Sequence, residues 1–136
     1  MKLSRTVAYA LQATLQLAQS GNQVPVPCSR LAAEGKMPER FLLQILRNLV
    51  THGILSSTRG VDGGYTLDRA PEEISLLEII EAIDGPITPV IPVAQGLLAL
   101  SKVKLEGALA SITEAARKDL QAIKLAHLLP SPRRKS

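Results

Sequence analysis

Apolar residues recur at helical spacing over most of the chain and alternate only in one short stretch near its middle. Leu3, Val7, Leu11, Leu15 and Ala18 fall on one stripe when successive residues turn by about 100°, which predicts a helix over residues 2–20, ended by Gly21-Asn22. Val24-Pro25-Val26-Pro27 reads as an extended connector, because each proline fixes its own φ and restricts the residue before it. A short helix over 29–34 follows, with Ser29 or Cys28 near its cap and Gly35 as its stop. After the link Lys36-Met37, Pro38 stands at a first helical position with Glu39 beside it, suited to the positive helix start. That helix runs to about His52, and Gly53 terminates it. Two helices joined by a short Gly-containing turn carry the helix-turn-helix pattern.

The second helix of this pair has two faces. Leu42, Ile45, Leu46, Leu49 and Val50 share one side, and Arg40, Gln44, Arg47 and Thr51 share the other. An apolar back and a front of long donors suit a helix laid in the DNA major groove, where Arg pairs with guanine and Gln with adenine. An ordinary solvated face would show the same segregation. Residues 54–59 and 65–68 then read as two strands, joined by Gly60-Val61-Asp62-Gly63-Gly64. Three glycines in five residues suit a hairpin tip with positive φ values. A hairpin directly after a helix-turn-helix is a wing, and Arg59 at its tip could enter a narrow minor groove.

Downstream, Ser75 and Glu78 form a capping box before the apolar positions Leu76, Ile79, Ile80 and Ile83, with Glu81 expected in solvent and Asp84-Gly85-Pro86 as the stop. Residues 86–93 form a proline-broken apolar loop. A short helix around 94–101 and a longer one over 103–121 follow. In the latter Leu105, Leu109, Ile112, Ala116 and Leu120 alternate in threes and fours, as in a coiled-coil seam. Such a stripe is buried either on the same helix of a second chain or back on its own domain. Gly107 within it would allow a close helix crossing. A last short helix covers 122–129, and Arg133-Arg134-Lys135 make a basic tail. The fold class is therefore mainly α: a winged helix-turn-helix with a two-stranded β wing and a long C-terminal dimerisation helix. Its divisions are a DNA-binding domain over 1–86, a loop with a short helix over 87–102, the dimerisation and closing helices over 103–129, and a tail over 130–136.

Composition narrows what this scaffold does. Hydrophobic residues make up 46% of the 136, enough for a core, whereas aromatics are 2%, too few for the stacking platforms of single-strand or RNA readers. The net charge is +4, and its distribution says more than its size. The segment from Arg30 to Arg69 holds six bases against Glu34, Glu39, Asp62 and Asp68, while Glu72 to Asp84 holds five acids and no base. An anion-binding face belongs to the earlier segment. The only cysteine is Cys28, which excludes an intrachain disulfide and any multi-thiolate metal site. It reads either as a small packed residue or as a redox-sensitive thiol whose pKa a helix start would lower. The absence of a membrane-length apolar run and of a signal-type N-terminus suggests a cytoplasmic protein. Nothing points to an enzyme: His52 and His127 lie far apart without a nucleophile motif, and the wing glycines are not followed by Lys-Ser/Thr.

Met1-Lys2-Leu3-Ser4-Arg5-Thr6-Val7-Ala8-Tyr9-Ala10-Leu11, Pro38-Glu39-Arg40-Phe41-Leu42, Gln44-Ile45-Leu46, the wing Arg59-Gly60-Val61-Asp62-Gly63-Gly64-Tyr65 and Ile80-Glu81-Ala82-Ile83-Asp84-Gly85-Pro86 together resemble the Rrf2 family of bacterial regulators, the IscR, NsrR and CymR type. The resemblance is close over residues 1–86. It implies a homodimeric winged-helix transcription regulator whose long C-terminal helices cross between subunits. It implies contacts to double-stranded DNA from Arg40, Phe41 and Gln44 on the helix and from Arg59 on the wing, with Ser4 and Arg5 near the DNA backbone. Arg47 joins this set from its place on the polar helix face. Many members hold an iron–sulphur cluster through three cysteines in the loop before the long helix, and only by this resemblance is the 87–102 loop of the sensor type. Residues 87–105 contain neither Cys nor His, so a cluster is not expected and no cofactor is assigned. Ile87, Val90, Ile91, Val93, Leu97, Leu98 and Leu100 there would cover either a pocket for a small apolar effector or a second core between subunits.

The expected function is sequence-specific DNA binding as a homodimer on an inverted repeat, with repression by promoter occupancy. The alternative is a winged-helix protein-interaction module without a DNA partner.

Overall fold

The computed structural model describes residues 1–20, 24–89 and 96–130. Helix α1 (Arg5–Ser20) buries Val7, Ala10, Ala13, Thr14 and Leu17, a face turned well away from the expected stripe: Val7 is shared, but Leu3 is exposed and Leu11, Leu15 and Ala18 are half-buried, because the small Ala10, Ala13 and Thr14 take the side packed against the neighbouring helices. It begins three residues later than the apolar stripe suggests, because Ser4 caps it: the Val7 N–H donates to Ser4 Oγ at 3.1 Å. The expected stop Gly21-Asn22 lies outside the described residues. Helices α2 (Cys28–Gly35) and α3 (Glu39–Thr51) form the helix-turn-helix. Pro38 proves to be the cap of α3 rather than its first residue.

Gly35 does not stop α2 by turning left-handed; Lys36 does, at φ 55°. Gly35 is instead the last helical residue, where α1 crosses closely. A Cβ there would lie 2.6 Å from Gln12 Nε2, and that amide donates to the Gly35 carbonyl at 2.7 Å.

Strands β1 (Leu55–Thr58) and β2 (Gly64–Leu67) form the wing, antiparallel, with Leu55 opposite Leu67 and Ser57 opposite Tyr65. The 24–27 connector is not a free spacer. Val26 pairs with Tyr65 through two backbone bonds of 3.0 and 2.9 Å and so adds a one-residue third strand. Gly64 makes this possible: it sits at φ 152° directly against the Val26 and Pro27 backbone.

Helix α4 (Leu76–Asp84) opens with the reciprocal Ser75–Glu78 capping box. The long helix α5 runs over Ala99–Ala122. It starts four residues earlier than expected and absorbs the end of the short helix anticipated around 94–101. Nothing between Ala99 and Val103 breaks a helix, while Leu98 is extended and residues 96–98 are not helical; the remainder lies outside the described residues. Helix α6 (Leu125–Leu128) is shorter than the 122–129 expectation, because Ile123 turns extended and its carbonyl accepts from the Leu76 N–H at 2.8 Å. The Leu125 N–H then donates to the Ile74 carbonyl at 2.9 Å.

The main core packs α1, α2 and α3 against β1 and α6, around Leu31, Leu42, Ile45, Leu46, Leu49, Ile54, Ile74 and Leu125. A second cluster of Val7, Leu77, Ile80 and Leu120 seats the end of α5 on α1 and α4, with Ile87 packed against it. Glu81, expected in solvent, is the anchor of that junction: its carboxylate accepts from Arg117 of α5 and, at 2.9 Å, from the Ile87 N–H. The stripe on α5 is therefore divided. Leu120 is buried on its own domain, whereas Ile112 is 64% and Leu105 40% exposed within the single chain. Among the described residues, no helix is long and apolar enough to cross a membrane.

Glu78 carries a pH-dependent part of the stability. Burial would raise its carboxyl, but the Ser75 N–H at 3.0 Å and the Arg69 guanidinium at 2.6 Å outweigh it and hold the group below the usual carboxylate value. A depressed folded-state pKa adds stability that is present above the unfolded value and lost as pH falls through the folded one. Melting temperatures of the wild type and Glu78→Gln should thus differ near neutral pH and converge as the pH falls through and below the usual carboxylate range. Curves that stay parallel would show that this ion pair does not set the acid limb.

Candidate nucleic-acid interface

Helix α3 buries Leu42, Ile45, Leu46 and Leu49 and leaves Arg40, Phe41, Gln44, Arg47 and Thr51 exposed. The core thus fixes which side faces outward. Gln44 Nε2 donates to Asn48 Oδ1 at 3.4 Å, one turn on, which leaves its carbonyl oxygen and second N–H available. Phe41 is half-exposed, its ring held edge-on by Tyr9 with centroids 5.9 Å apart. Arg59 stands at the end of β1, followed by Gly60 at φ 113° and the fully exposed Val61.

The arginines fall into two groups. Arg30, Arg69 and Arg117 each pair with a glutamate. Among the described residues Arg5, Arg40, Arg47 and Arg59 have no ion-pair or side-chain hydrogen-bond partner. The arginines the sequence reading assigned to an anion are the ones the fold leaves uncommitted.

A cleft of about 750 Å³ separates α3 from the wing, with Arg47 and Thr51 on one wall, Ser57 and Arg59 on the other, and Cys28 and Tyr65 in its floor. Ser4 and Arg5 are not brought to it. Ser4 lies at the α1–α4 junction, where its hydroxyl also donates to Asp84 at 3.3 Å, so its visible role is capping. Cys28 departs from the reactive-thiol reading: burial first, and the nearby Glu39 second, push its pKa up rather than down. Its Sγ points at the Glu39 carbonyl, 3.7 Å away. The sequence reading assigned no role to Tyr65 or Ser57. The period of the strand was the available signal, since Ser57 and Tyr65 lie opposite each other on the face of the wing that carries the buried Leu55.

Residues 3–131 match the model of the family described as "Rrf2: Iron-dependent Transcriptional regulator". The chain belongs to the Rrf2 family. This Rrf2 chain is 39% identical over 101 residues to an HTH-type transcriptional regulator of Mycobacterium tuberculosis, covering 74% of its own length and 63% of the relative's. It is 33% identical over 90 residues to the regulator CymR of Bacillus subtilis, covering 66% and 65%. The chain thus spans less than two thirds of these curated relatives. Among solved structures, CymR of B. subtilis, titled the global cysteine regulator, superimposes with a TM-score of 0.75 at 29% identity, over 94% of this chain and 95% of that one. T. potens IscR superimposes with a TM-score of 0.70 at 27% identity, over 94% and 85%. The family is one of DNA-binding transcription regulators, not of enzymes.

Among the described residues, the iron named in the family's description finds no fitting donor set. Residues 87–105 carry no Cys, His, Asp or Glu, and the single cysteine is buried in α2. Among the described residues, no three His, Cys, Asp or Glu side chains group closely enough to hold a metal. Ile87 is partly buried against the second cluster, while Leu97, Leu98 and Leu100 are exposed; Val90, Ile91 and Val93 lie outside the described residues.

Proposed function

We propose that this Rrf2 chain is a cytoplasmic, sequence-specific regulator that binds an inverted-repeat operator as a homodimer and represses by occupying the promoter. The observation that carries the reading is the set of uncommitted Arg40, Arg47 and Arg59 beside Gln44, on a helix and a wing whose backs are locked into one core. Base-edge contacts come from Arg40, Phe41 and Gln44, and phosphate contacts supply the affinity. The apolar positions that α5 leaves open, Leu105 and Ile112, fit the same helix of a second copy, and Gly107 between them has nothing within 4 Å of where a Cβ would stand.

Selection of genomic fragments with purified protein at defined salt tests this. The expected result is a short palindromic site whose affinity falls steeply as salt rises. Failure to retain any duplex at low salt would leave the winged-helix interaction module as the function. Substitution of Ile112 by lysine should shift the mass measured by light scattering from dimer to monomer and weaken operator binding by at least about tenfold. A mass that does not change would place the subunit contact elsewhere.

A further inference from the structure

We infer that the cleft between α3 and the wing seats one backbone phosphate of duplex DNA, and that the hydroxyls of Tyr65 and Ser57 hold it together with Arg47. This rests on the DNA-binding reading and adds to it a set of residues that are blind to base sequence. A helix in one major groove and a wing in the neighbouring minor groove must straddle the sugar–phosphate strand that divides them. The cleft is the space between those two elements, and no carboxylate lines it.

Its hydroxyl groups are not equivalent. Thr51 donates its proton to the Arg47 carbonyl at 3.0 Å, one turn back in the same helix. Among the described residues the Ser57 and Tyr65 hydroxyls have no hydrogen-bond partner. They face each other across the wing, on the side of the sheet that turns towards α3. Burial, and secondarily Cys28, raise the Tyr65 phenol while Arg47 lowers it, so the group stays a proton donor at neutral pH and stands within electrostatic reach of Arg47. Two backbone bonds to Val26 fix the residue in advance, so little ordering is left for the moment of binding. A neutral donor, a hydroxyl and a guanidinium converging on one acid-free slot form a site for a phosphodiester oxygen pair.

The test measures binding of wild type, Tyr65→Phe, Ser57→Ala and Arg47→Gln to two probes, a random-sequence duplex of about 30 base pairs and a site recovered by genomic selection, over a range of salt. Tyr65→Phe keeps the ring and removes the donor. It should weaken both probes by about tenfold, with the ratio between them and the slope against salt unchanged. Arg47→Gln should reduce that slope by about one unit. A loss confined to the selected site would make Tyr65 a base reader and overturn the inference. So would wild-type affinity for Tyr65→Phe. If Tyr65→Phe fails to fold, as judged by its melting curve, the exposed Ser57→Ala and Arg47→Gln decide: affinity and slope both unchanged in the two variants overturns it. Wild type that binds neither probe would instead overturn the DNA-binding reading itself.

Discussion

Arg59→Ala should fold as the wild type does and bind the selected site about 10- to 100-fold more weakly. The first half follows from the free protein. Arg59 is exposed at the end of β1 and has no partner among the described residues, so its removal orphans nothing. Stability should move by less than about 0.5 kcal/mol. The second half follows from the complex. A cation carried at a wing tip meets the concentrated negative potential of a narrow minor groove, and a lost base or groove contact of this kind costs about 1–3 kcal/mol. Arg59→Lys should recover part of the loss through charge alone, because ammonium cannot reproduce the planar fork. Fluorescence anisotropy at two salt concentrations, with a melting curve for each variant, measures both halves. Unchanged affinity would remove the wing from the interface.

Gly64→Ala should destabilise the fold by at least about 3 kcal/mol, lowering the melting temperature by 10 °C or more. Two independent costs coincide there. The residue sits at φ 152°, and the added Cβ would stand 2.4 Å from the Val26 carbonyl carbon and 2.7 Å from the Pro27 nitrogen. The obstructing atoms are backbone and cannot rotate away. Relief requires β2 to leave Val26, which breaks both Val26–Tyr65 bonds and leaves buried polar groups unpaired. Gly53→Ala is the control: φ is 75°, but the Cβ position is open, so only the conformational cost of about 1 kcal/mol applies. Equal melting temperatures for the two variants would show that the third-strand contact does not hold the wing in place.

The parts of this fold that were legible in the sequence are local ones. The two faces of α3 follow from its period, and the wing from glycine chemistry within five residues, so Leu42, Ile45, Leu46 and Leu49 point inward where the pattern places them. The Ser75–Glu78 box is likewise read from a three-residue spacing. What could not be read rests on partners distant in the chain. Val26 meets Tyr65, Glu81 meets Arg117, and Ile74 meets Leu125, and nothing in the residues near any of them signals the pairing. The same gap explains the interface. Arg40, Gln44 and Arg59 announce themselves as long polar groups in the right elements. Tyr65 and Ser57 enter only once the paired strands are seen beside α3, with both residues lining the cleft between them.

The closure at Ile74 and Leu125 has a consequence for how the molecule can be handled. The excursion from Ile87 through α5 is fastened to the α4 region at both ends, by Glu81 at its start and by the Ile123 carbonyl at its finish. It is an ear attached at two points, not an arm attached at one. A protease that cuts at residues 96–98 should therefore leave two fragments that travel together under native conditions and separate only in denaturant. A fluorophore or tag joined after Pro130 reports from the surface of the winged-helix domain, where α6 packs against α1, rather than from the far end of the long helix.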